Sequence, residues 1–189
     1  MKKILVVFLS LGMLTACKID FGSSDNSSPS SKPNTPVQKL PPQQESSAQK
    51  IAKMEDSGEL PRLERENTIQ GIDNDGNGIR DDIDAYIKRT YPQKQQKAVS
   101  QYARALQASL LVNLNDRNAL QRTSDVESRA VSCIFEKIPN GESPSHGRVV
   151  MEILGVTTNT KKRLMAYLAL SKALDGTVMT LPNDGVCDE

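Results

Sequence analysis

An all-α fold is what this sequence predicts, a small irregular bundle of four or five helices. Three observations carry that expectation. From about residue 60 onward, apolar residues recur at three- and four-residue spacing. No alternation of period two lasts long enough to demand a sheet. Pro, Asn and Gly fall where the periodic stretches stop.

The elements follow in order. Asp82 to Lys88 places Ile83 and Ile87 one turn apart, with Tyr86 beside them. Pro92 suits the first turn of the next helix, where its missing N–H costs nothing. That helix runs to about Asn113, with Val99, Tyr102, Ala103, Leu106, Leu110 and Leu114 on one stripe. Ser124-Asp125-Val126-Glu127 has the spacing of a capping box and predicts a helix start there. Its stripe is Val126, Ala130, Cys133 and Ile134, and Pro139-Asn140-Gly141 stops it. Val149 to Leu154 is a short apolar run closed by Gly155, read as helix. Thr160 to Leu174 groups Leu164, Tyr167, Leu168 and Leu174, with Gly176 as the C-cap. Thr180 to Cys187 is an irregular tail lying over the bundle.

Ahead of this region the composition changes. Residues 17–58 are rich in Ser, Pro, Asn, Gln and Lys and cannot bury enough apolar surface to offset ordering entropy. They read as a tether of typical reach ~35 Å, with one or two helical turns over Gln49 to Asp56. At the start stands a short basic stretch, Met1-Lys2-Lys3, then an apolar run from Ile4 to Leu14 too short to span a bilayer. Small residues follow it, the pattern of a secretory signal. The ending Leu14-Thr15-Ala16-Cys17 resembles the lipobox of bacterial lipoproteins. That resemblance implies removal of residues 1–16 and acylation of Cys17 on its thiol and its new amine. Several acyl chains anchor stably where a single one does not. Lys18, rather than Asp, follows Cys17, which in this family implies the outer membrane with the folded part facing the periplasm.

Charge narrows the partners. The chain has 24 basic and 23 acidic side chains, and loss of Lys2 and Lys3 leaves 22 against 23. No basic field is present for nucleic acid, and no polybasic run for anionic lipid. Aromatic residues make up 4% with no Trp, so stacking platforms are hard to build. Of three cysteines, Cys17 is taken by lipid on the lipoprotein reading. Cys133 and Cys187 then have one intramolecular pairing open to them in an oxidising compartment.

The strongest internal signal is Asp73-Asn74-Asp75-Gly76-Asn77-Gly78-Ile79-Arg80-Asp81-Asp82-Ile83-Asp84. Ca2+ takes six to eight oxygens, and a loop supplies them from alternating positions. Asp73, Asp75 and Asn77 stand at positions one, three and five, and Gly78 at six permits the sharp turn. The Ile79 carbonyl, Asp81 and Asp84 supply positions seven, nine and twelve, with Asp82 a possible substitute. The spacing resembles EF-hand loops, and thrombospondin type-3 repeats more closely. It departs from the EF-hand at Arg80, where position eight is usually apolar, and at Asp84, where a Glu usually stands. No apolar helix precedes Asp73, because Glu64 to Thr68 is polar, so a paired hand is absent. The resemblance implies a structural Ca2+ pinning the loop to the helix that follows; otherwise the acidic residues cap that helix.

Other features recruit less. His146 lies in a polar loop, and its serine neighbours make no triad by adjacency. Lys161-Lys162-Arg163 reads as a solvated charge run. The expectation is a non-enzymatic outer-membrane lipoprotein whose helical part, Ca2+-stabilised and disulfide-stapled, spans 59–189 and binds an envelope protein. As a whole it is similar to bacterial lipoproteins carrying such a loop-helix unit. The rivals are an inhibitor or immunity lipoprotein against a toxin or lysozyme, and a peptidoglycan or glycan hydrolase using loop carboxylates.

Overall fold

Apolar periodicity becomes six helices in a computed structural model that describes residues 45–188. The residues read as signal, lipobox and tether, up to residue 44, lie outside the described residues. The helices are α1 (Ser47–Asp56), α2 (Asp81–Thr90), α3 (Gln93–Leu110), α4 (Arg117–Lys137), α5 (His146–Thr157) and α6 (Lys161–Ala173). No strand occurs among the described residues. The fold is all-α: α2 to α6 make the expected bundle of five, and α1 is a sixth helix among the described residues.

The sixth is α1, in the stretch read from sequence as tether. Ser46 and Gln49 form a reciprocal capping box that starts it. None of its residues is buried, so local hydrogen bonding rather than packing holds it.

The core is built around α3, which touches α2, α4, α5 and α6. Its stripe of Val99, Tyr102, Ala103 and Leu106 is buried as the periodicity predicts. Ile83 and Ile87 of α2, Ala130 and Ile134 of α4, and Val149 and Ile153 of α5 meet it. Pro92 occupies the N-cap of α3 rather than its first turn. All residues of this core belong to one compact unit, Gln44–Glu189. A chain lacking the leader and Cys17 therefore keeps the whole core.

Several boundaries and two faces differ from the sequence reading; α3, for one, ends at Leu110 rather than near Asn113. Helix α4 starts at Arg117, because the Asp116 side chain accepts from the Asn118 and Ala119 N–H groups and caps it there. Ser124 is consequently a buried residue within the helix, and Val126, expected on the core stripe, is 51% exposed. Helix α5 starts at His146 under a Ser145 cap, and His146 stacks on Phe135 at 4.4 Å between ring centroids instead of sitting in a loop. The same helix continues through Gly155 to Thr157. One interior glycine costs only about 1 kcal/mol, too little to stop a helix that buries Val156 and Thr157 beyond it. On α6, Leu164 and Leu168 face outward at 44% and 50% exposure, while Arg163 and Leu170 are buried.

The tail crosses α3 and α4 as an irregular strap. Val186 is buried in the core. Gln101 clamps the strap from α3: its Nε2 donates to the Val186 carbonyl at 2.8 Å, and its Oε1 accepts from the Asp188 N–H at 3.0 Å. Arg129 of α4 donates to the Gly185 carbonyl. Cys133 and Cys187 form a disulfide with a Cα separation of 4.9 Å.

That cross-link joins residues 54 positions apart. Chain-entropy arithmetic for such a loop gives ~4 kcal/mol, a large part of the ~5–15 kcal/mol that holds a small protein folded. Cys187→Ser should lower the urea unfolding free energy by up to about that amount. Reducing agent should destabilise the wild type similarly and leave the variant unchanged.

Candidate metal centre

The acidic loop is closed at its base before any side chain acts. The Asp81 N–H donates to the Ile72 carbonyl at 2.9 Å, joining the start of α2 to the residue ahead of Asp73. Gly76 and Gly78 take positive φ of 68° and 83°, the left-handed turns that this tight path needs. Arg104 of α3 holds the loop against the bundle by donating to the Asn77 carbonyl at 2.9 Å.

Within the loop, Asp73, Asp75 and Asp81 bring one carboxylate oxygen each to within 4.8 Å of the others. Three hard oxygen donors at this separation could hold a metal ion, consistent with Ca2+ but not specific to it. The remaining loop residues are arranged around them. The Asn77 N–H is shared between Asp73 and Asp75, and the Gly78 N–H donates to Asp73 Oδ2 at 2.9 Å. Asp84 is nine-tenths buried and is linked through Asn77, whose Nδ2 donates to Asp84 Oδ2 at 2.5 Å and to Asp75 Oδ2 at 3.0 Å. Asn77 Oδ1 accepts from the Ile79 N–H at 2.8 Å. Asn74 donates to Asp81 through its backbone N–H at 3.0 Å and through its Nδ2. Asp81 thus has two oxygens already oriented by the loop.

Asp82 is not part of this cluster. It points into the protein, where both its oxygens accept from Arg80, from Nε at 3.0 Å and from Nη2 at 2.9 Å. Arg80 is fully buried. Its Nη1 donates to the Thr157 carbonyl at 3.1 Å and its Nη2 to the Val156 carbonyl at 3.3 Å, both at the end of α5. Glu64 Oε2 lies 3.6 Å from Arg80 Nε and also accepts from Arg163 Nη2. Arg163 is fully buried as well, which overturns its reading as part of a solvated run. Its Nη1 donates to the Glu64 carbonyl and to Asn159 Oδ1, and its Nε to the Ile69 carbonyl. The Glu64 N–H donates to Asp82 Oδ2 at 2.8 Å.

Two fully buried arginines and two largely buried carboxylates, their side chains 13% and 12% exposed, therefore lie together directly behind the acidic loop. Each guanidinium has its donors satisfied by carboxylate or carbonyl oxygens, the condition under which buried charge is tolerated. Sequence reasoning registered Arg80 only as a departure. The signal was available: position eight points into the core, and a charged residue there requires buried counter-charges.

A separate carboxyl group stands out on α4. Glu127 lines a cavity of about 350 Å³ between α4 and α6, together with Tyr167, Leu170, Leu174 and Asp175. Burial raises its pKa above the usual carboxylate range, partly offset by the Ser109 hydroxyl donating to Oε2 at 3.0 Å. Burial likewise raises the Tyr102 phenol, with the Glu127 charge adding to it.

Comparison with known proteins gives no relative. No family model, curated protein or solved structure matches the chain. The functional reading therefore rests on this chain's own residues.

Gly71 shows how closely the arginine cluster is packed. A Cβ on it would lie 2.3 Å from Arg80 Cδ, 2.7 Å from Glu64 Oε2 and 2.9 Å from Arg163 Nη2, at a φ of +72°. Gly76 has nearly the same φ, +68°, with nothing within 4 Å of its would-be Cβ. Gly76→Ala should cost only the left-handed penalty of roughly 1–2 kcal/mol. Gly71→Ala should cost distinctly more in urea unfolding, and equal losses would mean that the cluster yields freely.

Proposed function

We propose that this chain is a non-enzymatic lipoprotein of the bacterial outer membrane, in which a Ca2+-stabilised helical domain on a flexible tether binds an envelope partner. The observation that carries the metal part is the convergence of Asp73, Asp75 and Asp81 within 4.8 Å. Asn77, the Ile79 carbonyl and Asp84 complete the oxygen set in this reading. Ca2+ is favoured among hard cations because the donors come from an irregular loop with no octahedral arrangement, whereas Mg2+ demands near-ideal octahedral geometry and sheds water reluctantly. The ion's role is structural. The loop is followed by one helix and, among the described residues, has no apolar helix before it, so calcium-driven opening of a paired groove is not part of the reading.

The anchoring part stands on the lipobox residues Leu14-Thr15-Ala16-Cys17.

Ca2+ in a tenfold to hundredfold excess over its dissociation constant should stabilise the domain by roughly 1–3 kcal/mol, seen as a rise in melting temperature. Asp75→Ala should abolish the rise, and Mg2+ should reproduce it poorly. Intact-mass analysis of the protein from bacterial membranes should find acylated Cys17 as the first residue. An absent Ca2+ response at millimolar concentration would leave the acidic residues as helix-capping groups, and an unmodified terminus elsewhere would remove the anchor.

A further inference from the structure

Helix α6 is apolar on two sides. Its inner side buries Leu170 and half-buries Ala166 and Tyr167. Its outer side exposes Leu164 at 44%, Met165 at 54% and Leu168 at 50%. These three stand at i, i+1 and i+4, one continuous patch on a helix surface. Lys161 and Lys172 extend the same stripe at its two ends, three residues before Leu164 and four after Leu168, and both are exposed. The helix, KKRLMAYLALSKA, contains no acidic residue. Arg163 is turned inward and paired, and Lys162 donates to the Asn67 carbonyl, so the charge on this face belongs to Lys161 and Lys172.

We infer that the outer face of α6 lies on an anionic lipid surface, with Leu164, Met165 and Leu168 entering the interface and Lys161 and Lys172, too few to form a polybasic cluster by themselves, meeting the headgroups. Charge decides against a second copy of the chain. Pairing two such helices across this stripe, parallel or antiparallel, sets lysine against lysine with no carboxylate in the helix to relieve it. Shape and residue type decide against a protein groove. The patch is a convex single-helix ridge of Leu and Met, whereas protein hot spots are enriched in Trp, Tyr and Arg and depleted in Leu. A bilayer surface accepts such a ridge, and lysine stems can follow the apolar patch while their ammonium groups stay at headgroup level.

The position of the chain fits. Cys17 and the first described residue, Glu45, are 28 positions apart. A random coil of that length would reach roughly 30 Å. If Cys17 is acylated, as proposed above, α6 is never far from a membrane, and weak surface contact is multiplied by local concentration. The inference uses the anchor only for this proximity. Lipid contact by α6 itself is a property of the unanchored domain.

The test uses residues 18–189, which lack the acylated cysteine but keep the whole core. Flotation with phosphatidylglycerol–phosphatidylcholine vesicles should carry the protein up, while phosphatidylcholine vesicles should not. Leu164→Ser with Leu168→Ser should weaken the association at least about tenfold, since each removes apolar area from the interface. Lys161→Glu with Lys172→Glu should weaken it comparably, and salt should do the same to the wild type. All four substitutions lie on exposed side chains, so an unchanged melting temperature should accompany each loss. Failure to float with anionic vesicles would overturn the inference, as would undiminished flotation of the Leu164→Ser, Leu168→Ser protein. Loss of self-association instead of lipid binding in that variant would assign the face to a second copy. None of these outcomes depends on acylation of Cys17, which intact mass reads separately.

Discussion

The burial of Arg80 beside Glu64, Asp82 and Arg163 is the constraint on which the rest of this structure depends. Four charged groups are taken out of bulk water, and that is tolerable only while all remain paired. Their positions tie together segments far apart in the chain. Arg163 reaches back 99 positions to Glu64, and Arg80 reaches forward 77 to the Thr157 carbonyl. The extended segment from Glu64 to Ile72, which has no helix or sheet of its own, is held in place largely by these bonds. Gln107 of α3 adds one more by donating to the Gln70 carbonyl at 2.9 Å.

The acidic loop inherits its position from this arrangement. Its two ends are Ile72, at the close of the stapled segment, and Asp81, next to the buried Arg80. With both ends fixed, the loop carboxylates are brought together at little further entropy cost, which is what preorganises an oxygen site for a cation. A metal at Asp73, Asp75 and Asp81 would neutralise the outer side of the same turn whose inner side is neutralised by arginine. The C-terminal strap is secured independently by Cys133–Cys187 and Gln101. Arg104 joins the two regions, donating to the Asn77 carbonyl and lying 3.5 Å from Asp188.

Much of this was legible in the sequence where the cause is local. The α3 stripe from Val99 to Leu110 and the loop spacing with Gly78 at its turn follow from period and spacing, and the pairing of Cys133 with Cys187 followed once Cys17 was set aside for lipid; Leu114, expected on the stripe, lies beyond α3 and is 38% exposed. The start of α4 was not, because Ser124 and Glu127 copy a capping box inside a helix and drew attention from the true cap, Asp116, which stands between Asn115 and Arg117. The outward turn of Leu164 and Leu168 was hidden for a different reason. A helix with apolar residues on two sides has no single stripe, so period alone cannot say which side faces the core. Arg163 was misread because its partner lies 99 positions away, and nothing in its neighbourhood announces a buried carboxylate.

The central claim is that Arg80 and its partners hold the fold rather than decorate it. Urea unfolding of Arg80→Met tests this most directly, with Arg62→Met as the reference. The Arg62 side chain is 74% exposed in its pair with Asp56, whereas that of Arg80 is fully buried. Removing one partner of a buried charge cluster strands the others, so Arg80→Met should lose about 3–5 kcal/mol. The exposed reference should change by less than about 1 kcal/mol. Losses of similar size at the two positions would contradict the account.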